Sequence, residues 1–185
     1  MGKREITVVN IVVSTSLGHD IPLEKMNAML SNTEYNPEQF PGLVIRIKEP
    51  KTSALVFSSG KVVCTGARSM DKVEESIKKI IKSLEKIGIK ITIKPEIKIQ
   101  NIVASGTVGM DLNLNTLAMK LSNTEYEPEQ FPGLVYKLID GPVKATFLLF
   151  SNGKVVCTGT KSEEEVNKSL DKLIDNLKKA SGKKG

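Results

Sequence analysis

The sequence is written twice. Residues 31–44 read SNTEYNPEQFPGLV and return at 122–135 as SNTEYEPEQFPGLV, with one change, Asn36 against Glu127. The stretch GKVVCTG at 60–66 returns at 153–159, and Asn10-Ile11-Val12 returns as Asn101-Ile102-Val103. The offset is 91 residues in the first and last of these blocks and 93 in the second, so the second copy gains two residues between them, near Gly141-Pro142. A period of this length exceeds the roughly 20–50 residues of a solenoid repeat. Each copy is therefore expected to be a subdomain with its own core, 1–95 and 96–185, the two related by a pseudo-two-fold axis.

The order of elements is the same in both copies. An alternating apolar run, Ile6 to Ser14 and again Ile97 to Ser105, predicts a strand. A short helix follows, with Asp20 as its cap and Pro22 in its first turn; its twin starts near Asp111. Then comes a Pro-bracketed loop, Asn36 to Gly42 and Glu127 to Gly133. Leu43–Lys48, Ser53–Ser58 and Lys61–Ala67 are strand-like, with Ser59-Gly60 and Asn152-Gly153 as hairpin turns. A long amphipathic helix closes each copy. Its stripe is Val73, Ile77, Ile80, Ile81 and Leu84 in the first copy, and Val166, Leu170, Leu173, Ile174 and Leu177 in the second. Ser69 and Ser162 are its caps, and Ser162 with Glu165 forms a capping box. Tight hairpins make antiparallel strands. The fold class is α+β, with helices on one face of the sheet.

Composition narrows the function. Charged residues make up 26% of the chain and the net charge is +6, with +5 of it in residues 1–95 and +1 in 96–185. A polyanion would feel the first half more strongly. No run reaches the ~18 apolar residues of a membrane span. The N-terminal Met-Gly-Lys-Arg-Glu-Ile has no secretory signal and no myristoylation site, so an intracellular protein is expected. One histidine, His19, and two well-separated cysteines, Cys64 and Cys157, leave no catalytic residues, metal ligands or cofactor site to name. The repeated carboxylates Glu34/Glu125 and Glu38/Glu129 have no His or Cys beside them, so no enzyme is expected.

The strands carry a contradiction. A sheet covered on one side alternates apolar and polar residues, yet Ala54-Leu55-Val56-Phe57 is apolar at both parities. If Ile11, Val13, Val62 and Cys64 face the helices, then Asn10, Val12, Leu55, Phe57, Val63 and Thr65 face away. In the second copy these are Asn101, Val103, Leu148, Phe150, Val156 and Thr158. Such an uncharged face marks an interaction surface, although a dimer interface or a two-sided core has the same pattern. Duplex DNA shares the two-fold repetition. Its minor groove at A·T pairs offers only acceptors, which Asn amides and Thr hydroxyls can satisfy. Arg46, Lys61, Lys137 and Lys154 stand at the rim, where phosphates run. Four of the five phenylalanines form repeat pairs, Phe40/Phe131 and Phe57/Phe150, and apolar side chains pushed between base steps kink a duplex.

At these residues the chain resembles the TATA-box-binding protein family in its archaeal form. The resemblance rests on QNIV at 100–103, on the two EY(N/E)PEQFPGLV blocks and on FSSGKVVCTG with FSNGKVVCTG, and it runs from about Ile6 to Leu177. It implies a duplicated saddle: a curved ten-stranded antiparallel sheet, concave side on DNA, with four helices on the convex side. It implies that Asn10 and Asn101, Thr65 and Thr158, Val12, Val63, Val103 and Val156, and Leu55 and Leu148 lie in the minor groove. Phe40 with Phe57 and Phe131 with Phe150 are then the wedges, a mode for which this family is itself the usual illustration. Pro41 and Pro132 follow the first wedge residue of each pair.

The same resemblance implies a general transcription initiation factor on double-stranded A·T-rich promoter DNA. Glu127, Glu129 and Gln130 would receive transcription factor B, and RNA polymerase would be reached indirectly. Location in the cytoplasm or nucleoid is expected, and a homodimer off DNA is a further expectation. Groove-facing pairs are identical between copies apart from the rim pair Arg46/Lys137, which predicts little polarity in the protein's own reading of a site. The competing reading is a small apolar-ligand-binding protein whose sheet grips its ligand against a helix.

Overall fold

The computed structural model describes residues 5–182. Residues 1–4, on which the expectations about a secretory signal and a myristoylation site fall, and residues 183–185 lie outside it. The chain divides into two compact units. One holds Asn10–Gln100; the other joins the described residues up to Val9 to those from Asn101 onward. The spatial units are thus cut within two long strands, β1 (Glu5–Ser16) and β6 (Lys98–Thr107), whereas the sequence repeats meet near residue 95. The hydrogen-bonded strand order is β2-β3-β4-β5-β1-β6-β10-β9-β8-β7, and every ladder described below is antiparallel.

In the unit of residues 10–100, β1 pairs with β5 (Lys61–Ala67), β5 with β4 (Thr52–Val56), β4 with β3 (Leu43–Ile47), and β3 with the short β2 (Thr33–Tyr35). Helix α1 (Leu23–Met29) precedes β2, and α2 (Met70–Lys86) packs against β5. Alternation decides the faces. Leu43, Ile45, Ala54, Val56, Val62 and Cys64 are buried under Val73, Ile77, Ile80 and Leu84 of α2. Each such Leu or Ile contributes roughly 1.5–3 kcal/mol by leaving water.

The second unit repeats the first. Strands β7 (Thr124–Glu125), β8 (Leu134–Asp140), β9 (Val143–Leu149) and β10 (Lys154–Thr160) pair in that order, with β10 on β6. Helices α3 (Leu114–Lys120) and α4 (Glu163–Ala180) complete it. The expected stripes are buried throughout α4, and in α2 all but the half-buried Ile81. Phe147, the one phenylalanine without a repeat partner, is fully buried. The two extra residues of this copy extend the β8–β9 hairpin to Asp140↔Val143, leaving only Gly141-Pro142 as the turn, where the first copy leaves four residues between Ile47 and Thr52. Cys64 and Cys157 are sealed in the core, and burial pushes both thiols up, Cys157 from its ordinary 9.0 to about 11.

Three local expectations are corrected. Asp20 does not cap α1; the cap is Pro22, which has no side-chain donor or acceptor to offer, and the helix starts at Leu23. The twin helix is capped by Asn113, whose side chain accepts from the Thr116 N–H, so it begins later than Asp111. In the box at α4, Ser162 accepts from the Glu165 N–H as expected, but the Glu165 carboxylate reaches the N–H of Lys161 rather than that of Ser162. The short edge strands β2 and β7 had no periodicity of their own to announce them.

The cores differ at a polar pair on the long helices. Ser76 on α2 shares a buried hydrogen bond of 2.7 Å with Thr52. The residue at the place of Thr52 in the second copy is Ala145, and Ser169 on α4 is left with a buried, unpartnered hydroxyl. An unsatisfied buried hydroxyl costs about 1–3 kcal/mol. Equivalent substitutions should therefore act with opposite sign. In urea unfolding, Ser169→Ala is expected to stabilise by about 1 kcal/mol and Ser76→Ala to destabilise by a similar amount.

Candidate nucleic-acid interface

The face of each sheet away from its helices is neither buried nor charged at its centre. In the unit of residues 10–100, Asn10, Val12, Leu55, Phe57, Val63 and Thr65 are all half-buried. Their counterparts Asn101, Val103, Leu148, Phe150, Val156 and Thr158 are half-buried too. Register lines them up. One row across the strands runs Glu34–Val44–Leu55–Val63–Ser14, and its twin runs Glu125–Val135–Leu148–Val156–Ser105. A second row runs Arg46–Ser53–Thr65, repeated as Lys137–Thr146–Thr158.

Val44 and Val135 belong to this surface and were not among the residues expected on it. The signal was available. With Arg46 and Lys137 at the rim, a period of two puts the residue two positions earlier on the same face.

Each asparagine is held by a bulge. The β1–β5 register shifts between Ile11 and Val13, so that Thr65 and Gly66 together oppose Val12; β6 and β10 do the same at Thr158 and Gly159. Gly66 and Gly159 have φ of +100° and +90°, a conformation that side chains resist. Their N–H groups turn out of the ladder and donate to Asn10 Oδ1 at 2.6 Å and Asn101 Oδ1 at 2.8 Å. That contact orients the amides. The Nδ2 groups donate in turn to Thr65 Oγ1 at 3.0 Å and Thr158 Oγ1 at 2.9 Å. A hydroxyl that accepts in this way keeps its own proton, and each amide keeps a second N–H. The Thr65 hydroxyl also lies 3.3 Å from Asn10 Oδ1 as a donor.

The phenylalanines form two matched pairs. Phe40 and Phe57 meet edge to face with centroids 5.9 Å apart, and Phe131 and Phe150 do so at the same distance. Phe40 and Phe131 are each more than two-fifths exposed, unusual for so large an apolar side chain. Pro41 and Pro132, next to them, are exposed as well. One turn presents each ring: the Asn36 carbonyl accepts from the N–H groups of Gln39 and Phe40, and the Glu127 carbonyl from those of Gln130 and Phe131. Glu127, Glu129 and Gln130 are exposed on that second turn.

Of the rim residues, Arg46, Lys61, Lys137 and Lys154 are all exposed. Arg46 is paired with Glu34 at 3.2 Å, both side chains being more than half exposed. Among the described residues, no group of three or more His, Cys, Asp or Glu gathers to hold a metal ion. No helix among them is long and apolar enough to cross a membrane.

Gly42 and Gly133 sit beneath the ring pairs. A Cβ on Gly133 would lie 2.7 Å from Phe131 Cε2 and 3.1 Å from Phe150 Cε1, with the same distances at Gly42. These atoms are the tips of side chains, so the rings would move and the backbone would not. Gly133→Ala is expected to fold normally yet lose the ring-to-ring contacts of Phe131 and Phe150 in NOE spectra. Unaltered ring contacts would show that the glycine does not set the pair.

Comparison with known proteins shows the family of the chain. The family model "Transcription factor TFIID (or TATA-binding protein, TBP)" matches residues 5–87 and 96–180. The TATA-box-binding protein of Methanocaldococcus jannaschii is 54% identical over 174 residues, 94% of each chain. That of Archaeoglobus fulgidus is 50% identical over 176 residues, covering 94% of this chain and 95% of the relative. The solved structure of Methanococcus jannaschii TBP superposes with a TM-score of 0.88, covering 95% of this chain and 99% of the other. The chain belongs to the TATA-box-binding protein family, with that family's ten-stranded antiparallel sheet and four helices.

Proposed function

We propose that the protein is a TATA-binding transcription factor that binds the minor groove of A·T-rich promoter DNA and kinks it. On this reading it then offers the bent duplex to transcription factor B, and through that factor to RNA polymerase. One observation carries the reading: the uncharged, duplicated outer face with an oriented Asn–Thr pair at each centre. A·T pairs present only acceptors in the minor groove. Each centre has a donor left over in the second amide N–H, and the Thr158 proton adds another, while the Thr65 proton is directed at Asn10 Oδ1. Val12, Leu55 and Val63, with Val103, Leu148 and Val156, would lie along the groove floor, where a guanine amino group would collide with them. Membership of the TATA-binding family supports binding and not catalysis; deformation of the duplex is part of this reading.

Deformation is costly. Bending a site of this length takes about 1–10 kcal/mol, and flexible TA steps reduce it. Phe40 with Phe57 and Phe131 with Phe150 would supply the wedges, with Pro41 and Pro132 beside them. This family is the standard illustration of wedging in the minor groove. Phosphates would pair with Arg46, Lys61, Lys137 and Lys154. Arg46 can leave Glu34 at little cost, since an exposed ion pair is worth about 0–1 kcal/mol. Glu127, Glu129 and Gln130 would receive a basic surface of transcription factor B. The second-copy turn has Glu127 where the first has neutral Asn36, so charge favours docking there.

The wedge pairs give the test. Phe57→Ala and Phe150→Ala should each weaken binding to a TATA duplex by about tenfold or more, some 1.4 kcal/mol, and reduce the bend measured by circular-permutation gel shift. Wild-type affinity and bend in both variants would remove the wedge assignment.

A further inference from the structure

An amide side chain has two edges, and in the minor groove they suit opposite base pairs. Its N–H edge donates to adenine N3 and thymine O2, the acceptors of an A·T pair. Its oxygen accepts, and the donor that groove offers is the guanine amino group. The last torsion of an asparagine is broad and nearly two-fold. A groove-facing asparagine that is free to turn therefore carries no choice between the pairs.

The asparagines at the two centres are not free. The Gly66 N–H lies 2.6 Å from Asn10 Oδ1, and the Gly159 N–H 2.8 Å from Asn101 Oδ1. A backbone N–H can only donate, so the atom opposite it has to be the oxygen. Turned over, each amide would set N–H against N–H at the same distance. Threonine makes no such demand, because a hydroxyl both donates and accepts. Thr65 and Thr158 accept from Nδ2, and either could equally donate to a turned amide oxygen. The choice of edge falls to the glycines. In an unbroken ladder an N–H is spent on the neighbouring strand; the bulges free these two.

We propose that Gly66 and Gly159 are positioning residues for base specificity. Their N–H groups lock Asn10 and Asn101 with the donor edge outward, and so deny the guanine amino group an acceptor. The inference rests on the minor-groove reading given above and adds a second source of A·T preference. Collision with the valines and leucines excludes the amino group along the groove floor; the lock excludes it at the pairs beneath the two asparagines. The locks differ in strength. Asn10 Oδ1 also takes the Thr65 proton at 3.3 Å, so two donors hold it. Among the described residues, Asn101 Oδ1 is held by Gly159 alone.

The test removes the donors without moving the chain. A side chain at either glycine would strain a φ of +100° or +90°, so the N–H of Gly66, or that of Gly159, is replaced by an ester oxygen in the full chain. Binding is measured on a TATA duplex and on a series in which one adenine at a time is 2,6-diaminopurine. That base still pairs with thymine but carries guanine's amino group in the minor groove. Wild type should lose affinity along the whole core. In each ester variant the loss should shrink by about fivefold, the worth of one hydrogen bond, at the pairs beneath the freed asparagine and at no others. The ester at Gly159 should show the larger change. Asn10→Gln and Asn101→Gln, whose longer side chains release the amide with the backbone intact, should shrink the loss at the same pairs. A loss that is unchanged at every position in both kinds of variant overturns the lock, even where affinity for the plain duplex falls. So does a loss that shrinks evenly along the core. A wild-type protein indifferent to the added amino group at every position would instead overturn the minor-groove reading, and the lock with it.

Discussion

A strand shows its side chains to two faces, and helices here cover one of them. The apolar residues at the other parity remain half-exposed, and they have no charges among them to keep that surface wet. This imbalance is what the rest of the molecule is arranged around. Bulges at Gly66 and Gly159 turn N–H groups toward Asn10 and Asn101, so the amides at the two centres of the bare face are held in a single orientation. The bulges need residues that accept φ near +90° to +100°, and both are glycine. Glycine also permits the ring pairs: at Gly42 and Gly133 any larger residue would occupy the volume that the phenylalanines use. The sheet interior, by contrast, is an ordinary packed core with two protonated thiols in it.

Duplication gives the two units the same surface and the same devices, yet their sequences are free to drift elsewhere. The drift is informative where it occurs. The Thr52–Ser76 bond of the first copy has no counterpart in the second, where Ser169 is stranded. The β8–β9 hairpin has grown by two residues at the end remote from the ring pairs. Charge differs at the turn beside the ring pair, where Glu127 stands for Asn36. A protein whose reading surface is nearly symmetric would take its polarity from such differences and from partners.

Much of this was legible in the sequence because period-two alternation and a near-perfect repeat constrain each other. Val12 and Val63 could be placed on the bare face since Ile11, Val13, Val62 and Cys64 had to be buried, and the second copy repeated the assignment independently. The wedge phenylalanines stood out because aromatics are scarce. What escaped was set by geometry that periodicity does not encode. The bulges break the period by one residue, so the partnership of Gly66 with Asn10 was invisible. Val44 lies between the buried Leu43 and Ile45 in an unbroken apolar run, so hydropathy alone does not set its face apart. Asp20 looked like a cap, but the chain stays extended through Pro22, and no side chain caps that helix.

The central claim is that the bare face is matched to the minor groove of A·T pairs, and base analogues test it most directly. An inosine·cytosine pair offers a minor groove like that of A·T, because inosine lacks the amino group of guanine, while its major groove resembles G·C. The account predicts that a duplex with inosine·cytosine in place of every A·T pair of the core binds within a few-fold of the A·T original, and that the G·C version does not bind. Equal loss of affinity in the inosine and guanine duplexes would contradict it.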